Sequence, residues 1–194
     1  MIADMVTDPH EASRKHLLKD ARLGAFVKSR GPIVHRREHA LGAFQSLAES
    51  VAYQQLSGKA AGTILKRFVA LWPHKKFPTP DDILKIKPEK LRAAGLSGQK
   101  ASYLKDLAAK FKDGTINPKL FYRMSDAEII GHVTAVKGIG EWTAQMFLMF
   151  TLARPDVLPT GDLGIQKGFQ KLFTLRARPS PARMERLAKP WAGH

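Results

Sequence analysis

Apolar residues recur along this chain at every third or fourth position, and sustained alternation of period two is almost absent. The pattern predicts an all-α fold, with helices near residues 11–29, 38–55, 59–71, 81–86, 89–94, 99–112, 125–134, 141–153, 163–174 and 181–189. Several starts carry their own signal. Thr79-Pro80 and Ser180-Pro181 place a capping hydroxyl before a proline at the first helical position, and Ser125 with Glu128 has the spacing of a capping box. Gly95 after LRAA and Gly114 after KFKD stand where a left-handed residue closes a helix. The linker-like stretch from Pro73 to Pro80 is too short to separate independent domains. Residues 1–194 are therefore read as a single unit of two helical lobes with a cleft, which the irregular segment PDVLPTGD at 155–162 can line.

Composition narrows the chemistry. The 194 residues contain no cysteine, which removes disulfides, thiolate metal sites and a cysteine nucleophile. Lys and Arg number 32 against 17 acidic residues, a net charge of +15 that points to a polyanionic partner, with a solvated basic surface as the plain alternative. The positives run through Arg36-Arg37, Lys66-Arg67, Lys75-Lys76, Lys85 to Lys90 and Arg176 to Arg186 rather than forming a basic tail. No stretch reaches the roughly 18 apolar residues of a membrane span, and MIADMVTDPHEASRKH lacks the apolar core of a secretory signal. The expectation is a soluble protein of the cytoplasm, nucleoid or nucleus. His35 and His39 share helical spacing but read as surface residues, and no catalytic metal is expected.

The most informative segment is SDAEIIGHVTAVKGIGEWTAQMFLMF, residues 125–150. A capped helix leads into Val136-Lys137-Gly138-Ile139-Gly140 and then a strongly apolar second helix. Two glycines permit a tight turn and leave amides uncovered at a helix start, where the dipole favours a phosphate. Lys137 adds charge there, and Ile139 is the apolar plug between the helices. Taken alone, the same pattern describes an ordinary helix–turn–helix corner.

This hairpin, followed by LPTGDLG, resembles the helix-hairpin-helix, Gly/Pro–Asp superfamily of DNA glycosylases, and within it the DNA-3-methyladenine glycosylase II family. The resemblance is carried by VAYQQLSGKAAGTILKRF at 51–68, LRAAGLSGQKASYLKDLAAKF at 91–111 and VKGIGEWTAQMFLMFTLARPDVLPTGDLGIQKGF at 136–169. It implies an all-helical enzyme that binds double-stranded DNA containing alkylated bases and flips the damaged nucleotide into a pocket. Lys137, Gly138, Ile139 and Gly140 would hold the DNA backbone. Gln55, Leu56 and Ser57 would enter the gap, Leu56 as wedge and Gln55 at the opposite base; the alternative for Leu56 is a leucine buried at a helix end.

Asp162 is the catalytic carboxylate that the resemblance selects. Cleaving a glycosidic bond to deoxyribose develops oxocarbenium character, which a fixed carboxylate stabilises while it orients or deprotonates water. Asp162 also suits an N-cap for LGIQKGFQKLF, and the helix start and basic surroundings would keep it charged. Its rival, Asp156 in Arg154-Pro155-Asp156, reads as turn chemistry. Related bifunctional enzymes carry a Schiff-base lysine two residues after the second hairpin glycine. Here that position is Trp142, which forms no imine, so the expected enzyme is monofunctional, with water as nucleophile and no cofactor. Trp142 and Met146 are assigned to the base pocket. Trp142 would stack on a cationic alkylated purine or simply pack its helix, and Met146 stands where some members have an aromatic.

By the same resemblance, a monovalent cation would sit on the backbone carbonyls of Thr134, Val136 and Ile139. The expected form is compact and monomeric, without the N-terminal β domain of some members. It also lacks the aromatic helix that follows a point like Lys189-Pro190-Trp191 in many of them, since the sequence ends at His194. A reading from another class remains: a non-enzymatic helix-hairpin-helix DNA-binding protein in which Asp162 only caps a helix.

Overall fold

A computed structural model describes residues 10–32 and 42–193. Residues 1–9, the pair Arg36-Arg37, His35 and His39, and the start of the helix expected from 38 lie outside the described residues. Among those described there is no strand. The helices are α1 (Glu11–Leu17), α2 (Leu23–Arg30), α3 (Ala43–Tyr53), α4 (Gly58–Val69), α5 (Pro80–Lys85), α6 (Pro88–Ala93), α7 (Gly98–Lys112), α8 (Asp126–Thr134), α9 (Glu141–Phe150), α10 (Leu163–Leu172) and α11 (Pro181–Ala188). Short 3-10 turns cover Pro118–Arg123 and Lys189–Trp191.

Backbone contacts divide the chain into two compact units, one of residues 38–152 and one formed by 1–37 with 153–194.

In the 38–152 unit, α7 is the central strut. Its Leu104 and Leu107 are fully buried, together with Leu47 and Val51 of α3, Ile83 of α5, Leu91 of α6, Ile129 of α8 and Leu148 of α9. Phe44 packs edge-on against Phe111 at 5.1 Å, and Phe68 against Phe77 at 5.9 Å, which adds directional aromatic contacts to the aliphatic core. Two α7 lysines close the ends of other helices. Lys100 Nζ donates to the carbonyls of Ala52 (2.8 Å) and Gln54 (2.6 Å), and Lys105 Nζ to those of Leu84 and Ile86. Each ammonium thereby satisfies carbonyls that the end of α3 or α5 leaves without an intrahelical partner. Burial holds both lysines below the ordinary ammonium range.

The punctuation read from sequence is in place. Ser125 and Glu128 form the capping box, Ser180 caps α11 with Pro181 following, and Gly95 and Gly114 take φ of +105° and +85°. Thr79 goes further than expected, because Asp82 completes a second capping box.

Two expectations need correction. The single helix expected over 11–29 is broken, because Asp20 Oδ1 accepts the backbone N–H groups of Arg22 (2.9 Å) and Leu23 (2.7 Å) and restarts the chain as α2. Gly24 makes the break possible: a Cβ there would lie 2.5 Å from the Leu18 carbonyl oxygen. The 3-10 turn at Pro118–Arg123 was not expected, since a piece so short has no hydrophobic period to read.

The other unit is held by an aromatic group. Phe169 and Phe173 of α10 stack at 5.8 Å, and Trp191 lies 5.7 Å and 5.8 Å from them. Trp191 Nε1 donates to Asp20 Oδ2 at 3.0 Å, and Arg22 lies over the Phe173 ring at 5.1 Å, so the α1–α2 corner and the residues after α11 share one packing site. Donors from Leu23 and Trp191 keep the Asp20 carboxyl below the usual carboxylate range.

Candidate functional site

The hairpin lies between α8 and α9, and its geometry follows from α7. Gly138 has φ +78°, and a Cβ on it would fall 2.1 Å from the Tyr103 ring, so glycine is required by both conformation and space. Ile139 is 4% exposed and plugs the hairpin as its apolar character predicts. The Lys137 side chain is exposed. Two of the hairpin amides already have partners. Lys137 N–H is spent on Asp106 Oδ2 (2.8 Å) and Ile139 N–H on the Val136 carbonyl (3.1 Å). No side chain caps α9 at Gly140, so the orphan N–H groups of that helix start are those of its first turn. The Val136 carbonyl, assigned to a cation site, accepts that one Ile139 N–H, and its second lone pair is not used by it.

The Gln54–Ser57 turn separates α3 from α4 and is fastened at both ends. Lys100 holds the Gln54 carbonyl, and Gln54 Nε2 donates to the Gly138 carbonyl at 2.8 Å. Ser57 caps α4 by accepting from Ala60 N–H at 3.4 Å. Between them Gln55 is forced to φ +57°, an uncommon state for a residue with a side chain, and Leu56 is 40% exposed. Leu56 is thus held on the surface by an anchored turn and is not buried at a helix end.

Beside this turn α3 and α9 line a cavity of ≈ 370 Å³ that is open to solvent on one side. Ser46, Glu49, Ser50 and Tyr53 line it from α3, Met146 and Phe150 from α9. Ser46 and Thr151 hydroxyls share a hydrogen bond of 2.5 Å that links the two walls. Met146, named from sequence, is in this wall; Trp142 is not among its lining residues and stands 49% exposed in the first turn of α9. The four α3 residues escaped the sequence reading. Their spacing of i, i+3, i+4 and i+7 was a signal: it marks a polar stripe beside the buried Leu47 and Val51.

Asp162 belongs to the other unit, at the N-cap of α10. Its Oδ1 accepts Ile165 N–H at 2.9 Å, and its own N–H donates to the Pro159 carbonyl at 2.9 Å. The preceding LPTG segment is equally pinned, with Thr160 N–H on the Leu158 carbonyl and Gln166 Nε2 on that of Thr160, both at 2.9 Å. A Cβ on Gly164 would meet Asp162 Oδ1 at 3.0 Å, so glycine there leaves the carboxylate room. Asp156 has a structural role: its Oδ2 accepts Gly193 N–H at 2.7 Å. Among the described residues no three His or acidic side chains gather as metal ligands, and no helix is long and apolar enough to cross a membrane.

Residues 48–193 match the HhH-GPD superfamily of base excision DNA repair proteins. The chain is 40% identical over 138 residues to DNA-3-methyladenine glycosylase 1 of Schizosaccharomyces pombe, a match covering 71% of this chain and 60% of that protein. It is 41% identical over 138 residues to the DNA-3-methyladenine glycosylase of Saccharomyces cerevisiae, covering 68% of this chain and 47% of the relative. The matches thus span about half to three fifths of these curated relatives. Among solved structures, the S. pombe 3-methyladenine DNA glycosylase in complex with abasic DNA superposes with a TM-score of 0.81 at 34% identity, over 94% of this chain and 90% of that one. A DNA-3-methyladenine glycosidase from Bacillus halodurans gives 0.83 at 31% identity, over 94% and 84%. With an all-helical fold, the glycine hairpin and the Pro–Asp segment in place, the chain belongs to the HhH-GPD superfamily of base excision DNA repair proteins.

Proposed function

We propose that this protein is a monofunctional DNA glycosylase that hydrolyses the N-glycosidic bond of alkylated purines, of the 3-methyladenine and 7-methylguanine type, in base excision repair. It acts inside the cell as a single unit, a monomer on double-stranded DNA. The observation that carries the reading is the fixed carboxylate of Asp162, oriented by Ile165 N–H and relieved of a side chain at Gly164. A preorganised negative group is what an oxocarbenium-like transition state requires, because it does not have to reorganise as charge develops. The relatives named for 3-methyladenine support the substrate class, and the one solved with abasic DNA supports a duplex partner.

In the proposed reaction the α9 first turn and Lys137 bind the DNA backbone, and Leu56 enters the stack while Gln55 faces the gap. The target nucleotide rotates out, its base engaging Met146 and Trp142, and Asp162 stabilises the sugar cation or takes a proton from the attacking water. Trp142 stands where bifunctional relatives use lysine, so the product is an intact abasic site and no cofactor is needed. Duplex DNA treated with a methylating agent tests this. Chromatography should detect free methylated purine, and borohydride should trap no protein–DNA adduct. DNA binding without base release would instead support a helix-hairpin-helix binding protein in which Asp162 only caps α10.

A further inference from the structure

The cavity between α3 and α9 has a chemical bias that the proposed reaction does not use. Its volume of ≈ 370 Å³ falls in the lower part of the range for small-ligand sites, ~300–1,000 Å³, and the whole of it lies within the 38–152 unit. The walls offer flat apolar surface: Tyr53 is 41% and Phe150 45% exposed, with Met146 half-buried beside them. Among the described residues that line it, Glu49 is the one that carries a charge. Its Oε1 accepts Gln45 Nε2 at 2.9 Å, which orients the carboxylate, and no Lys or Arg pairs with it among the described residues. In a chain with 32 basic residues against 17 acidic ones, a carboxylate without a cation among the described residues, beside an aromatic cavity, is out of keeping with its surroundings.

We infer that Glu49 makes this cavity select purines that carry a positive charge, so that it is a specificity-determining residue for cationic over neutral bases. Alkylation of a purine nucleotide at N3 or N7 leaves the base cationic until its glycosidic bond breaks. The carboxylate attracts that charge directly, and the rings of Tyr53 and Phe150 favour it through their π faces. A neutral base gains neither interaction, yet its entry strips water from Glu49 at the same cost. Ser46 and Ser50 add hydroxyls at the rim, able to donate or accept and so neutral toward charge.

The inference rests on the proposed glycosylase reading, and a binding measurement separates the two. The probes are 3,9-dimethyladeninium, which is permanently cationic, and neutral 9-methyladenine, titrated into the full chain and followed by NMR. Wild type should bind the cation at least about tenfold more tightly than the neutral purine, and Glu49→Gln should bring the two within about twofold of each other. Retained affinity of Glu49→Gln for 9-methyladenine shows that the variant is folded and the cavity intact. Wild type binding neither probe, showing no preference, or keeping its preference as Glu49→Gln overturns the inference. If Glu49 sets the preference while wild type releases no base from methylated DNA, the pocket assignment stands and the glycosylase reading falls. If bases are released and the preference is absent, the reverse holds.

Discussion

Gln54 Nε2 donates to the carbonyl of Gly138 at 2.8 Å, a direct tie between the turn that carries Leu56 and the hairpin that precedes α9. Lys100 holds the backbone of the same turn, and Tyr103, one helical turn further along α7, packs against the same glycine. The proposed wedge and the proposed phosphate site are thus set in register by one helix. Gln54→Ala should cost about 1 kcal/mol of stability, the ordinary value of such a bond. Its larger effect should be on base release. Denaturant melts and single-turnover excision with the same preparation separate the two.

Lys100→Met tests the other half of this tie. It removes two charge-assisted hydrogen bonds that close the end of α3, worth roughly 1.5–3 kcal/mol each when intact, offset by the relief of a desolvated ammonium. A net loss of about 2 kcal/mol is expected in urea denaturation. Amide exchange should accelerate at residues 52–57 before it does in the α7 core.

The two hairpin glycines should respond differently to substitution. Gly138→Ala meets the Tyr103 ring in a left-handed conformation and should destabilise the fold by more than about 1 kcal/mol. Gly140, at φ −92° with open space around its Cβ position, should accept alanine with little loss of stability. Any loss of DNA affinity in Gly140→Ala therefore reports on the approach of the phosphate. It should be equal across DNA sequences, since backbone contacts carry no base code. Fluorescence anisotropy on several duplexes checks this.

Strain at Gln55 offers an opposite pairing of effects. At φ +57° the residue pays roughly 1 kcal/mol for its conformation. Gln55→Gly should therefore keep or raise thermal stability while it lowers excision by losing the side chain proposed to face the gap. A fall in both would place Gln55 in the fold alone.

Acid should weaken the 38–152 unit through Asp82. Its carboxyl is lowered to about 2 by Lys75 Nζ, which donates at 2.6 Å, and by the Thr79 N–H and hydroxyl. A folded value below the unfolded one means that the stabilisation is complete above the unfolded value of 3.8 and is lost as pH falls toward about 2. Asp82→Asn should flatten the stability–pH curve in that window and cost up to about 1 kcal/mol at neutral pH, through loss of the charge that Lys75 pairs with. Circular dichroism melts between those pH values check the direction.

How legible each part was in the sequence depends on the range of the interaction behind it. The helices and their caps at Thr79, Ser125 and Ser180 were readable because cap and pattern act within a few residues. The break at Asp20 was not, since its two local bonds compete with a helix the periodicity supports equally well, and Trp191, which completes the site, lies at the far end of the chain. Gly138 was singled out for its turn, but the Tyr103 ring that makes it obligatory comes from another helix. Likewise Met146 was visible as a residue and its cavity was not, because Ser46, Glu49, Ser50 and Tyr53 supply the opposite wall from α3. Gln54 and Lys100 lie in segments that carry the family resemblance, but neither takes a role of its own from the sequence; their function is the geometry of other residues' backbones.

The central claim is that the Asp162 carboxylate is needed for chemistry and not only to cap α10. Asp162→Asn keeps an acceptor for Ile165 N–H, and asparagine is as good an N-cap, so the fold and DNA affinity should hold. The decisive measurement is the single-turnover rate of methylated-purine release by this variant from duplex DNA. The account predicts a fall of at least about 100-fold, as expected for the loss of a preorganised charge at the transition state. A rate equal to wild type would contradict it.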